Sequence, residues 1–214
     1  MKQKNLIAAV GLLAAFVLWT VLICTVDVQP IGPAGSEVGL ATVNGFFHGV
    51  IGTHWNLYII TDWLSVIPLG IAAGFALLGL VQWIQRKKLT AVDRSILALG
   101  GFYAATVAAF VLFEVLAVNY RPVLIDGALE ASYPSSTTVL VLCIMSTASV
   151  QLRSRIGNRV LKNFISIGIG FFSAFMIIGR FLSGVHWVTD IIGGILLSAG
   201  LVKLYLAGTR YFAS

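Results

Sequence analysis

Charge is the scarcest property of this sequence: only 10% of its 214 residues are Asp, Glu, Lys or Arg, while 58% are hydrophobic. A water-soluble domain carries about 25% charged residues, so a soluble globular fold is excluded. A mean hydropathy of +0.96 points instead to lipid as the solvent. Cysteine is almost as scarce. Cys24 and Cys143 both lie inside apolar runs, with neither metal-ligand nor disulfide spacing, and are read as small hydrophobic side chains. The net charge of +6 and pI near 9.6 would suit a nucleic-acid partner, but the basic residues fall in short clusters between apolar runs. That placement is a signal of membrane topology, and no nucleic-acid partner is implied.

A helix rises about 1.5 Å per residue, so about 20 apolar residues cross a hydrocarbon core of about 30 Å. Six segments meet that requirement: Asn5 to Thr25, Trp63 to Ile84, Ser95 to Val118, Ser135 to Leu152, Val160 to Phe181 and Trp187 to Leu206. The fold class is therefore all-α, a polytopic bundle of six transmembrane helices. With no repeat and no low-complexity tract, residues 1–214 read as a single domain. The first segment is longer than a signal-peptide core and lacks a small-x-small cleavage site, and Ile23 before Cys24 argues against lipoprotein processing. It reads as a retained anchor. Pro68 predicts a kink in the second segment, and Gly70 and Gly74 form a weak small-xxx-small pair there.

Basic loops stay in the cytoplasm. Lys2 and Lys4 precede the first segment; Arg86, Lys87, Lys88 and Arg94 follow the second; Arg153, Arg155, Arg159 and Lys162 follow the fourth; Lys203 and Arg210 lie toward the end of the chain. All of these fall on one side. Only Arg121 and Arg180 fall on the other, which predicts cytoplasmic termini. Trp19, Trp55, Trp63 and Trp187 mark the outer boundary as an interfacial belt, and Trp83 the inner one. The longest outer loop, Val26 to Asp62, contains a half-apolar stretch, Val38 to Ile51, that reads as an amphipathic cover lying on the membrane.

Three outward stretches carry the residues with chemistry: Asn119-Tyr120-Arg121-Pro122; Tyr133-Pro134-Ser135-Ser136-Thr137; and Gly179-Arg180 followed by His186 and Asp190. Arg121 and Arg180 offer permanently charged forks that match phosphate oxygens. Their bland reading is snorkelling, or pairing with Asp126 or Glu130. Pro134-Ser135-Ser136 reads as a helix start capped by serine, and such an N-terminus also binds anions. His186 and Asp190 stand four apart on one helix face, where the carboxylate accepts one imidazole N–H and leaves the other nitrogen as nucleophile or base. The bland reading is a polar pair that satisfies itself at a helix end. All three stretches meeting on one face favours a site.

In order and spacing these residues resemble the type 2 phosphatidic acid phosphatases, or lipid phosphate phosphatases. That family's signature is Lys-x6-Arg-Pro, then Pro-Ser-Gly-His, then Ser-Arg-x5-His-x3-Asp. Arg121-Pro122, Pro134-Ser135, Arg180, His186 and Asp190 match it at family spacing. The resemblance implies that His186 attacks phosphorus to form a phosphohistidine and Asp190 orients the ring. It implies that Arg121, Arg180, Ser135, Ser136 and nearby backbone N–H groups hold the phosphoryl oxygens, and that no metal or other cofactor takes part.

Three positions depart from the signature. Glu114 stands for the family's lysine and is expected to pair with an arginine; Gly179 stands for the serine before Arg180; Ser136-Thr137 stand for Gly-His. The missing histidine is the family's general acid, and a threonine hydroxyl is too weak an acid to replace it. Thr137 and Glu114 remain auxiliary candidates, and His48, His54, Asp126 and Glu130 are further stand-ins for the acid. A diphosphate leaves as a phosphate monoester and needs little protonation, so the expected substrate is a polyprenyl diphosphate of the undecaprenyl type, hydrolysed on the outer face of a bacterial plasma membrane during envelope carrier-lipid recycling. Alternatives are a phosphatase for phosphatidic acid or phosphatidylglycerol phosphate, and a phosphate-lipid binding protein or transporter without turnover.

Overall fold

The computed structural model describes residues 2–209; Arg210, which enters the topology argument above, lies outside the described residues. The apolar runs form α1 (Lys2–Thr25), α2 (Ala41–Ile51), α3 (Trp55–Leu64), α4 (Val66–Arg86), α5 (Arg94–Leu116), α6 (Ser136–Arg155), α7 (Arg159–Leu182) and α8 (Val188–Thr209). Six spans are long and apolar enough to cross a membrane, with α3 and α4 counted as one. The described residues contain isolated β-bridges but no named strand. The protein is thus an all-α integral membrane protein with six spans, as the hydropathy pattern predicts.

Helix α6 is the centre of the bundle and touches α4, α5, α7 and α8, while α1 lies along α8. Its most apolar window is 56% buried, against 11% for the α3–α4 span, and it has the lowest hydropathy of the six. A helix surrounded by protein needs no lipid-compatible surface, so Thr137, Thr138, Thr147 and Gln151 can be buried along it. Thr147 returns its hydroxyl to the Cys143 carbonyl, and Gln151 donates to the Tyr205 hydroxyl at 2.6 Å. Lipid-facing α7 instead exposes Phe164, Ile167, Phe171 and Ile178.

Three expectations change. The break near Pro68 falls at Ser65, between α3 and α4, because proline clashes with the carbonyl four residues earlier and cannot bond to it. The loop between Val26 and Asp62 contains two helices, α2 and α3, where one amphipathic stretch was expected, and α2 buries Ala41 and Asn44 while exposing Val43, Phe46 and Val50. Trp187 belongs to no belt. It is 2% exposed, and its indole N–H donates to the Tyr120 carbonyl at 2.7 Å.

Candidate active site

The two ends of the bundle are chemically different. The end of α4, the start of α5 and the end of α6 meet through Arg86, Asp93 and Arg155, with Arg86 and Asp93 2.9 Å apart. The opposite end gathers the start of α6, the end of α7, the start of α8 and the α5–α6 loop, and it holds nearly all the residues picked out above.

That loop is a narrow hairpin. Asp126 and Gly127 both have positive φ, 50° and 79°, as a tight two-residue turn between paired strands requires. Bridges Tyr120–Ala131 and Ile125–Ala128 flank the turn. The Arg121 N–H donates to the Glu130 carbonyl at 3.0 Å, and the Ser132 N–H to the Asn119 carbonyl at 2.8 Å. Arg121 therefore lies across from Glu130, and Asn119 across from Ser132. Tyr133 anchors the hairpin base, stacked on Phe16 and hydrogen-bonded to the Thr20 hydroxyl at 2.7 Å.

His186 sits in the turn before α8 rather than on it, and Asp190 is in the first turn of α8. Both are buried. The Asp190 carboxylate accepts from the Trp187 N–H at 2.9 Å, from Asn119 at 3.4 Å, and from the Ser132 hydroxyl. Imidazole Nδ1 is 3.7 Å from Asp190 and 3.3 Å from the Ser132 oxygen, so Ser132 bridges the pair. On the other ring face, Arg121 Nη1 donates to His186 Nε2 at 3.3 Å. That contact makes Nε2 the acceptor and leaves the ring proton on Nδ1, toward Ser132 and Asp190.

Arg180, in the last turn of α7, is 2% exposed. Helix α3 holds it: its Nη1 donates to the Tyr58 carbonyl at 3.4 Å and the Thr61 hydroxyl at 3.3 Å, and its Nη2 donates to Asp62 at 3.3 Å. The guanidinium carbon lies 4.7 Å from the centre of the Tyr58 ring. Gly179 makes this approach possible, since a Cβ there would stand 2.8 Å from the Thr61 methyl. Where the resembled family has a serine before the arginine, this chain has α3 packed close with a threonine hydroxyl on that arginine.

Arg121 and Arg180 line a common cavity of about 390 Å3 with Ser136 and Thr137, and its walls continue into Leu69, Val107, Phe110 and Leu140. Nε of each arginine is buried without a hydrogen-bond partner. Arg121 Nε stands 3.0 Å from a Glu130 oxygen, so those groups attract as an ion pair although the N–H is not aimed along the contact. The α6 N-terminus opens on the same space without a side-chain cap. The Arg180 guanidinium, the Arg121 guanidinium with its Glu130 partner and an uncapped helix start thus line one space whose walls become apolar, an arrangement that can accept an anion.

A second cavity of about 270 Å3 shares Phe110, Arg121, Ser136 and Val139 with the first and adds Glu114, Glu130, Ser132 and Tyr133. Several expectations are corrected here. Ser135 does not cap α6; its hydroxyl accepts from the Thr138 hydroxyl at 3.0 Å, and its side chain lines neither cavity. Glu114 lines the second cavity but forms no ion pair among the described residues. His48 packs edge-on against Trp187, and His54 contacts the Ile51 carbonyl. Neither they nor Asp126, at the hairpin turn, lines the two cavities that share Arg121. Ser132, Asn119, Tyr58, Thr61 and Asp62 were given no task from sequence. The Asp126-Gly127 pair, a strong hairpin signal, would have placed Ser132 and Glu130 beside Asn119 and Arg121. Among the described residues, no group of three or more His, Cys, Asp or Glu side chains is placed to hold a metal ion.

No protein-family model matches the chain, and no curated protein matches it. Among solved structures, it is similar to the crystal structure of a PAP2-type phosphatidylglycerolphosphate phosphatase from Bacillus subtilis. The identity is 19%, the TM-score 0.55, and 95% of each chain is covered. At that identity the likeness establishes the fold, which this chain shares with a transmembrane phosphatase over almost its whole length.

Proposed function

We propose that this chain belongs to the type 2 phosphatidic acid phosphatases and removes a phosphoryl group from a membrane lipid phosphate through a phosphohistidine on His186. One observation carries the reading: two buried arginines and an open helix start surround one apolar-exited cavity, and one of those arginines touches His186 Nε2. Burial first, then the charges of Arg121 and Arg180, hold the imidazole well below its usual pKa. The ring is therefore neutral at physiological pH and Nε2 keeps its lone pair. An arriving phosphate draws the Arg121 fork away from Nε2, and the nitrogen attacks phosphorus as the ester or anhydride bond breaks. Asp190 and Ser132 hold the Nδ1 proton and stabilise the cationic ring. Water then displaces the histidine and releases phosphate.

The lipid tail leaves along Leu69, Val107 and Leu140 toward the acyl chains. The basic clusters favour cytoplasmic termini and an outward-facing site in a bacterial plasma membrane, with residues 1–214 acting as one domain. Thr137 cannot serve as proton donor, which favours a polyprenyl diphosphate whose leaving group is itself a phosphate. A phospholipid monoester is the second reading, favoured by Glu130 on the cavity wall. Purified protein in detergent, assayed for phosphate release on both lipids, tests the reading. His186→Ala is expected to abolish release on each. Equal release by variant and wild type removes His186 as nucleophile.

A further inference from the structure

The site described so far has a nucleophile and an oxyanion cradle but nothing to protonate the oxygen that leaves. Alkoxide is a poor leaving group, and a positioned acid is worth about 10²- to 10⁴-fold when one departs. Two carboxyl side chains, Glu114 and Glu130, line the cavity that branches from the first at Arg121 and Ser136. Only Glu130 is tied to the reacting groups: its Oε2 is 3.0 Å from Arg121 Nε, and the same guanidinium reaches His186 Nε2 at 3.3 Å. One guanidinium group therefore separates the carboxyl from the nucleophile. The hairpin fixes this arrangement, because Arg121 and Glu130 face each other across it.

We propose that Glu130 is the general acid of the first step and the general base of the second, an assignment that rests on the phosphatase reading above. A phosphate monoester arriving as its monoanion takes the Arg121 fork from both Nε2 and Glu130, and so brings its oxygens against the freed carboxylate. Two oxyanions in contact do not both stay fully charged, and the proton carried by the substrate is shared with Glu130. As Nε2–P forms and P–O breaks, that proton passes to the departing oxygen, giving a neutral alcohol. In the second step water attacks phosphorus, the P–N bond breaks, and Glu130 takes a water proton and passes it to the departing phosphate, which leaves as its monoanion while the carboxylate returns to Arg121. Charge and protons balance with no other reactant. Glu130 is half-exposed at the hairpin edge, which lets it follow the substrate.

The test compares leaving groups under single-turnover conditions, so that only the first step is read. Glu130→Gln keeps the size and removes the transferable proton. On a short-chain phosphatidic acid the variant is expected to lose about 10²-fold or more in leaving-group release, and on p-nitrophenyl phosphate, whose phenolate departs unaided, less than about fivefold. A polyprenyl diphosphate is expected to behave like the nitrophenyl ester. Equal losses on all three substrates overturn the proposal, because Glu130 would then only position Arg121. An unchanged rate on phosphatidic acid overturns it too. The selective loss appearing in Glu114→Gln instead moves the proton to the other carboxyl and overturns the assignment to Glu130. Glu130→Asp, which keeps a carboxyl, guards against misfolding: partial recovery on phosphatidic acid is expected, and a loss equal to that of the Gln variant counts against the proposal. If wild type releases nothing from any substrate, the phosphatase reading itself fails.

Discussion

The two arginines on the cavity wall are held in opposite ways. Arg180 is locked by a helix turn on one side and by four groups of α3 on the other: the Tyr58 ring and carbonyl, Thr61 and Asp62. Arg121 hangs on a hairpin, with a half-exposed Glu130 on its Nε and the His186 ring on its tip. In the proposed reaction the first would be a fixed anchor for a phosphoryl oxygen. The second would have to leave its resting contact with His186 to uncover the attacking nitrogen. Preorganised donors are worth most where charge develops, so under the proposed mechanism Arg180 would hold the anion and Arg121 would control access to the attacking nitrogen.

The contrast can be broken most directly at Arg180. Arg180→Ala is expected to lower kcat/KM by about 10²- to 10³-fold and also to lower the thermal midpoint in detergent, because Asp62, Thr61 and the Tyr58 carbonyl lose their shared donor. Arg121→Ala is expected to lose activity over a similar range with little change in the midpoint. Equal destabilisation by the two would erase the distinction.

A second prediction sharpens the contrast at Gly179. Gly179→Ser restores the residue of the resembled signature, yet its Cβ would meet the Thr61 methyl at 2.8 Å and push α3 off Arg180. Activity is expected to fall about tenfold, as for the loss of one charged hydrogen bond. Adding Thr61→Ala should recover part of that loss, because the new serine supplies a hydroxyl and the methyl is gone. Additive losses in the double variant would mean that the two residues do not share one space.

The last expected effects concern the ring on Arg180 and the pH response. Tyr58→Leu removes a cation–π contact to a buried guanidinium, worth up to about 2 kcal/mol, at most about a thirtyfold change in KM with kcat held. Because burial and the two arginines hold His186 neutral in the fold, its contribution to stability is complete above the unfolded value of about 6.5 and is lost as pH falls below it. The thermal midpoint of wild type should therefore fall more steeply below pH 6.5 than that of His186→Asn. Parallel curves would show that the histidine is not the buried neutral group described.

Much of the fold was legible because a membrane span announces itself as a run of about 20 apolar residues, and all six spans lie where those runs are. Helix α3 was not, because Asn56 and Asp62 interrupt its apolar character, although Pro68 marked the break at its end. At the candidate site, Arg121 and Arg180 were legible through charge placement and His186 and Asp190 through spacing, with their roles implied by the family resemblance. Their supporting residues were not: Tyr58, Thr61 and Asp62 come from a helix more than a hundred residues away in sequence, and no local pattern ties them to Arg180. Ser132 lay beside a recognised stretch but outside its motif, and only the pairing of the hairpin shows that its hydroxyl stands between His186 and Asp190.

The central claim is that His186 Nε2 becomes bonded to phosphorus. Rapid acid-free quenching of wild type with a short-chain lipid phosphate, followed by mass spectrometry of the peptide containing His186, tests it most directly. The account predicts a phosphoryl mass increment on that residue, labile to acid and absent from His186→Ala. Full turnover with no increment on His186, or with the phosphoryl group found on another side chain, would contradict it.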